Sequence, residues 1–89
     1  MAVLFPLGQL IITERAAALL KELHINPVTL LLRHLAGDWG EGSFAQRWAN
    51  DLAVYEGGRI LSEYGHGQKR VCVLTELDRT ITTVLLPPK

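Results

Sequence analysis

The 89-residue sequence contains almost no cysteine and no excess of charge of either sign, and both absences exclude classes of function. Its single cysteine, Cys72, rules out an internal disulfide and a thiolate metal cluster within one chain. The nine basic and nine acidic side chains give a formal net charge of zero. This balance argues against a nucleic-acid partner, because binding to the phosphate backbone depends on a surplus of Lys and Arg.

Long apolar runs and catalytic fingerprints are also missing. No run approaches the ~20 apolar residues that span a bilayer, and the N-terminal segment has no basic region and contains Pro6 and Gly8, unlike a signal peptide. We therefore expect a cytoplasmic protein without a membrane partner. There is no phosphate-binding loop, dinucleotide fingerprint or nucleophile elbow, so no cofactor is expected. His24, His34 and His66 lack the spacing of metal ligands, so no metal site is expected.

Hydrophobic residues make up 48% of the chain, which is enough to build one domain over residues 1–89. Within residues 1–58, a short strand at Ile11 and Ile12 precedes three helices. Each helix is predicted by a capping residue followed by apolar positions at helical spacing. The three caps are Thr13, Asn26 and Ser43, and one face of the third helix consists of Phe44, Trp48, Leu52 and Tyr55.

Residues 59–87 change to the two-residue period of β-strands and predict an antiparallel β-meander. The predicted fold class is α+β, with three helices packed on one face of a three- or four-stranded antiparallel sheet. The fourth strand would be the N-terminal one. The last strand, residues 81–86, is apolar, and an uncovered apolar edge favours pairing with another chain. We therefore expect a homodimer. Cys72, between Val71 and Val73, is expected to be buried.

The first candidate functional segment is the loop at residues 37–41, which follows His34. Asp38 and Glu41 are candidate catalytic carboxylates, and Trp39 and His34 are candidate binding residues, since functional side chains concentrate on loops. The alternative is structural. The glycines would then form turns, Trp39 would cover the core and Asp38 would support the turn. His34 would stabilise the end of its helix when protonated.

The second candidate segment is the loop at residues 75–79. Glu76 or Asp78 would act as a general base, and Arg79 would bind or stabilise an anion. The structural alternative is an ion pair between Asp78 and Arg79, worth ~0–1 kcal/mol. If both loops met in one cleft, their carboxylates and Arg79 would suit a small hydrolase or an endoribonuclease of the toxin type.

Two blocks, Gly-Asp-Trp-Gly at residues 37–40 and Thr-Glu-x-Asp-Arg at residues 75–79, carry a resemblance to a known group of proteins. Further matching segments lie at residues 5–9, 33–34, 58–62 and 82–87. The chain resembles small uncharacterised bacterial proteins found on plasmids and other mobile elements, some of which are labelled restriction-system subunits. The resemblance covers nearly the whole chain and implies a mobile-gene origin, but it supplies no activity, cofactor or catalytic residue.

Taken together, these features predict a non-enzymatic accessory protein of the bacterial mobile gene pool. It would act by protein–protein contact, as a homodimer and with another protein as a second kind of partner. The small hydrolase or endoribonuclease is the alternative.

Overall fold

The structure, a computed structural model, describes residues 3–88 and contains three α-helices and four β-strands. This content confirms the α+β class. In chain order the elements are β1 (Gln9–Ile12), α1 (Glu14–Glu22), α2 (Pro27–Leu35), α3 (Phe44–Glu56), β2 (Ile60–Tyr64), a short 3₁₀ helix (Gly67–Lys69), β3 (Val71–Thr75) and β4 (Ile81–Leu85).

Each helix begins directly after its predicted cap. The side-chain oxygen of each cap accepts a backbone N–H of the first turn, an interaction that replaces one of the hydrogen bonds missing at a helix start. Thr13 accepts from Ala16 at 3.2 Å, Asn26 from Val28 at 3.0 Å, and Ser43 from Gln46 at 3.0 Å. None of the helices within residues 3–88 combines the length and apolar character needed to cross a lipid bilayer.

The four strands form one mixed sheet in the order β1-β4-β3-β2. The meander pairs antiparallel as expected, but β1 runs parallel to β4. The prediction of a purely antiparallel sheet is therefore wrong. The three helices between β1 and the meander make a connection long enough to add a parallel neighbour, which a hairpin cannot do. As a result β4 lies inside the sheet, so residues 81–86 are not the uncovered edge that would favour pairing with another chain.

Two apolar clusters join the helices to the sheet. The first combines Ala16 and Leu20 of α1 and Leu30 and Leu31 of α2 with Tyr64, Val71, Val73 and Val84. The second combines Phe5, Leu35, Trp39, Ala53 and Ile60. Residues that alternate with these strand positions, such as Leu61, Leu74 and Leu85, are only half-buried. Cys72 is among the alternating residues and is 4% exposed, which confirms its predicted burial. Burial raises the pKa of its thiol to about 11.

The outer edge of β2 is closed by hydrogen bonds from outside the sheet. The Asn50 side chain bonds both backbone groups of Leu61, donating to its carbonyl at 2.7 Å and accepting from its N–H at 3.1 Å. Two residues further on, the Glu63 N–H donates to the Trp39 carbonyl at 3.2 Å, and the Glu41 N–H donates to the Glu63 carbonyl at 2.6 Å. Another strand therefore has no free donor or acceptor to pair with at these two positions.

The outer edge of β1 is open. Gln9 and Thr13 donate their backbone N–H groups to the carbonyls of Thr80 and Val84 at 2.8 and 3.0 Å. Because the hydrogen-bonding direction alternates along a strand, the backbone groups of Leu10 and Ile12 point away from β4. Leu10 is 42% exposed, although its strand partner Thr82 is fully buried.

Candidate functional site

The loop at residues 37–41 begins where Gly37, at φ +87°, ends α2. The Asp38 carboxylate accepts from the Arg33 guanidinium, with Nε to Oδ2 at 2.7 Å and a second contact at 3.3 Å, and from the Gly40 N–H at 3.2 Å. The Arg33 hydrogen bond holds the pKa of Asp38 below its usual range. Asp38 therefore stays ionised, and both of its carboxylate oxygens accept hydrogen bonds. A carboxylate in this state is a poor general base.

Tyr64 connects this loop to β2. Its hydroxyl donates to the Asp38 carbonyl at 2.6 Å, and the Arg33 guanidinium carbon lies 4.4 Å from the centre of its ring. Burial raises the pKa of Tyr64 to about 12, so the hydroxyl keeps the proton that it donates. Glu41 adds a further connection, because its Oε2 accepts from the Gly65 N–H at 3.1 Å. Each of these contacts holds the loop against the end of β2.

Trp39 lies in the second apolar cluster and is 6% exposed. Its ring stacks on Phe5 with centroids 6.3 Å apart and meets His34 edge-on at 5.9 Å. The indole Nε1–H donates to Asp51 Oδ1 of α3 at 2.8 Å. Trp39 thus covers the core and ties the loop to α3, and it leaves little surface for a ligand.

His34 is fully buried and faces the sheet. Its ring nitrogens lie 2.6 Å from Ser62 Oγ of β2 and 2.9 Å from Thr75 Oγ1 of β3. Burial lowers the pKa of His34 to about 4, so the ring is neutral near pH 7. The expectation that a protonated His34 stabilises the end of α2 is therefore wrong, because the ring points into the core and away from the terminal carbonyls.

The buried hydroxyls around His34 determine where its proton lies. The Thr82 hydroxyl donates to the Leu7 carbonyl at 2.7 Å, since a carbonyl only accepts. The Thr75 hydroxyl must then donate to Thr82 at 2.8 Å and accept from His34 Nε2–H. The Ser62 hydroxyl is left to donate to the bare Nδ1. The geometry is that of an activated serine, but Ser62 and His34 are both fully buried, so the chain of hydrogen bonds binds α2 to the sheet.

In the loop at residues 75–79, the Arg79 guanidinium lies at the C-terminal end of α3. It donates to the carbonyls of Ala53 at 2.8 Å, Gly58 at 2.6 Å and Glu76 at 3.1 Å. The Ala53 carbonyl also accepts the Gly57 N–H at 3.0 Å, so Arg79 is a second donor to it, and a cation at a helix C-terminus is favoured by the helix dipole. Arg79 itself has φ +62°, the left-handed region, which fits a residue held at a tight turn.

The two carboxylates of this loop have local partners. Asp78 Oδ1 accepts from the N–H and hydroxyl of Thr80 at 3.1 and 2.6 Å, and the Thr80 hydroxyl holds the pKa of Asp78 below its usual range. Glu76 pairs with Arg59 at 3.1 Å. The alternative that expected an ion pair between Asp78 and Arg79 is therefore wrong, because Arg79 is directed to backbone carbonyls instead.

The carboxylates of the two loops lie at opposite ends of β2. Asp38 and Glu41 contact Tyr64 and Gly65 at one end, whereas Thr75, where the second loop begins, pairs with Ile60 at the other. Ile60 and Tyr64 lie four residues apart on β2, a rise of ~13 Å. A cleft of about 370 Å³ joins Asp38 and Gly40 to Phe44, the first residue of α3, and includes no residue of the 75–79 loop. The structure therefore does not bring Asp38 and Glu41 together with Glu76, Asp78 and Arg79.

The surface that sequence reasoning did not identify is the outward face of α3. Phe44 is 77% exposed, Trp48 60%, Leu52 40% and Tyr55 87%. We call these four residues the α3 stripe. The sequence pattern places them on one face, but the opposite face is the one that packs, with buried Asn50 and Ala53 against β2. Asn50 is needed to close the edge of β2, and this requirement turns the aromatic side outward.

Two charged side chains of α3, Arg47 and Asp51, line the cleft together with Phe44 and Trp48. Both are exposed. Within residues 3–88, Arg47 takes part in no salt bridge, and no group of three His, Cys, Asp or Glu side chains is arranged to hold a metal ion. The described site is therefore an apolar surface with one free cation beside it.

Comparison with protein-family models, with curated proteins and with solved structures finds no match for this chain. The function is therefore inferred from the surfaces and side chains described above.

Proposed function

We propose that this protein is a non-enzymatic interaction protein that works as a homodimer, and that it is an accessory protein of the bacterial mobile gene pool. The observation that carries the proposal is the α3 stripe, in which three aromatic side chains are 60–87% exposed on one helix. Soluble monomers rarely expose a contiguous apolar patch of this kind, and aromatic residues are enriched where proteins bind one another. The mobile-gene origin rests on the resemblance carried by residues 37–40 and 75–79.

The arrangement of helices and sheet supports this proposal. Apart from Cys72, the buried apolar residues of β2, β3 and β4 belong to the same clusters as residues of α1, α2 and α3, and the residues that alternate with them are half-buried. We infer that the three helices cover one face of the sheet. Among the helices and strands, α3 packs mainly on β2, the strand at the sheet edge. A helix at the edge has a whole side free for a partner.

The engagement of the candidate catalytic groups also supports an interaction role over hydrolysis. The Asp38 carboxylate accepts from Arg33, the Asp78 carboxylate accepts from Thr80, and the Arg79 guanidinium donates to four backbone carbonyls. An anion or a substrate proton would have to displace these partners before either loop acted on it. The structure thus uses the residues of both loops to hold the fold.

The oligomeric state of the full chain tests the proposal. We expect light scattering after size exclusion to give twice the chain mass of 9.9 kDa at micromolar concentration. Sedimentation equilibrium over a range of concentrations would supply the dissociation constant. A mass of 9.9 kDa that persists up to millimolar concentration would overturn the homodimer.

A further inference from the structure

The order of residues along the α3 stripe makes it complementary to itself when it is reversed. Read in opposite directions, the stripe places Phe44 against Tyr55 and Trp48 against Leu52, because both pairs are centred close to residue 50. We propose that a second copy of this chain packs its α3 antiparallel on this stripe, related by a two-fold axis near residue 50. The inference rests on the proposed homodimer and assigns its interface.

The exposed area of the stripe approaches what a stable dimer needs. An aromatic side chain buries ~150–250 Å² when it is fully covered. With exposures of 60–87% for the three aromatic residues and 40% for Leu52, the stripe offers roughly 500 Å² on each copy. Two copies would therefore remove roughly 1,000 Å² from water, against ~1,200–2,000 Å² for a specific interface. The flanking side chains of α3 would supply the remainder.

The charges beside the stripe fit an antiparallel pair. Arg47 and Asp51 lie one turn apart on the same flank of α3. With an axis near residue 50, Arg47 of one copy lies almost level with Asp51 of the other copy. The two differ in height along the helix axis by no more than ~3 Å. Asp51 uses Oδ1 to accept from Trp39, so its second oxygen is available to a guanidinium. The symmetry creates two such ion pairs, because an antiparallel two-fold pair brings the same flank of both helices together.

The cleft beside α3 has the position that this pairing requires. It lies on the flank of Arg47 and Asp51 and opens next to Phe44. Tyr55 of the second copy would reach this level, because antiparallel pairing places it opposite Phe44. Tyr55 is the most exposed member of the stripe at 87%, and a volume of about 370 Å³ is available to receive its ring.

The other open surfaces of the molecule carry less. The outer edge of β1 is apolar but only four residues long, and Leu10 and Ile11 are 42% and 41% exposed. The half-buried face of the sheet contains Leu61 and Leu74. Among the described residues, nothing on this face indicates which partner would cover it. The α3 stripe combines the largest exposures with a charge pattern that a second copy matches.

Charge reversal distinguishes a weakened interface from a folding defect, because only the former is rescued by mixing two variants of opposite charge. We expect R47D and D51R each to weaken the homodimer at least ten-fold, because each change sets two like-charged pairs across the axis. A mixture of R47D with D51R should restore a dimer within about three-fold of the wild-type dissociation constant, since opposite charges then meet at both positions. Sedimentation equilibrium of each variant and of the mixture measures all three values.

Two further sets of variants keep the test decisive if D51R disturbs the Trp39 contact. F44A and Y55A remove exposed side chains that do not belong to the core, and each should weaken the dimer at least ten-fold. L10K, at the open edge of β1, is the matched control and should leave the dissociation constant unchanged. If the wild type is monomeric, the proposed homodimer fails. If it is dimeric but only L10K dissociates it, or if mixing the charge variants restores nothing, this interface alone is wrong.

Discussion

The side-chain amide of Asn50 forms both hydrogen bonds that the backbone of Leu61 offers at the outer edge of β2. Asn50 Nδ2 donates to the Leu61 carbonyl at 2.7 Å, and the Leu61 N–H donates to Oδ1 at 3.1 Å. Asn50 is fully buried, although it lies on a helix. The Asn50 side chain thus forms the hydrogen bonds that a neighbouring strand would otherwise form. This role explains why a polar residue stands at a buried position of α3.

Replacing Asn50 tests this arrangement. We expect Asn50→Leu to lower the free energy of unfolding by about 2–3 kcal/mol, because two backbone groups lose their partners. Urea unfolding followed by circular dichroism measures the change. Gln46→Ala is the matched control, since it removes only the half-buried donor to Asn50 Oδ1 and should cost under about 1 kcal/mol. Equal losses of unfolding free energy for the two variants would show that the bonds from Asn50 to Leu61 contribute no more than the single bond from Gln46.

His34 makes stability depend on pH. Its pKa falls from an unfolded value of 6.5 to about 4 in the folded protein, so the unfolded chain binds the proton more tightly. The stabilisation from the neutral ring is fully present above pH 6.5 and is lost as the pH falls from 6.5 towards 4. This difference in pKa corresponds to about 3 kcal/mol. Urea unfolding at several pH values between 4 and 7 should show the loss.

The control for His34 is His34→Gln. The glutamine amide also offers one donor for Thr75 and one acceptor for Ser62, but it does not titrate. Its free energy of unfolding should therefore vary less over this pH range than that of the wild type by about 3 kcal/mol. In the wild type, nitrogen NMR should find the neutral ring with its proton on Nε2. A doubly protonated ring at pH 6 would contradict both expectations.

Gly40 is required where the 37–41 loop runs alongside the outer edge of β2. A Cβ on this residue would lie 2.1 Å from the Glu63 carbonyl oxygen, and the backbone has φ +76°. Gly40→Ala should therefore cost well over the ~1–2 kcal/mol of a left-handed residue alone. Gly67→Ala is the matched control, because Gly67 has φ +59° with open space around it. Thermal unfolding of the two variants compares them, and equal melting temperatures would argue against the close approach.

Local chemistry explains which parts of the fold were predictable from the sequence. Thr13, Asn26 and Ser43 act on backbone groups within three residues, so the sequence alone placed the helix starts. The parallel pairing of β1 with β4 joins segments about seventy residues apart, and no local pattern encodes its direction. The helical periodicity likewise placed the four residues of the α3 stripe on one face, but it did not indicate whether that face packs on the core or is exposed.

The candidate residues illustrate the same limit. His34 reads as a helix-end residue in sequence, yet its partners Ser62 and Thr75 lie 28 and 41 positions away. Arg79 is adjacent to Asp78, and proximity along the chain favoured an ion pair. Two of the carbonyls that it bonds belong to Ala53 and Gly58, which only the folded chain brings near. The chemistry of these side chains was readable, but their partners were not.

Arg79 gives the last prediction, because it links the end of α3 to the β3–β4 connection. Arg79→Ala should lower the free energy of unfolding by about 2–3 kcal/mol, since a charged donor leaves several carbonyls at once. Arg79→Lys should recover less than half of this, because one ammonium cannot reproduce the planar fork that spans Ala53 and Gly58.

The adjacent Asp78→Ala is the control for Arg79. It removes exposed contacts to Thr80 within the same loop and should cost less than Arg79→Ala. Hydrogen exchange adds a local measurement. Loss of Arg79 should increase the exchange rate of the amides in the last turn of α3 more than that of the amides in α1. Full stability in Arg79→Lys, with unchanged exchange in α3, would mean that the guanidinium bonds do not hold the helix end.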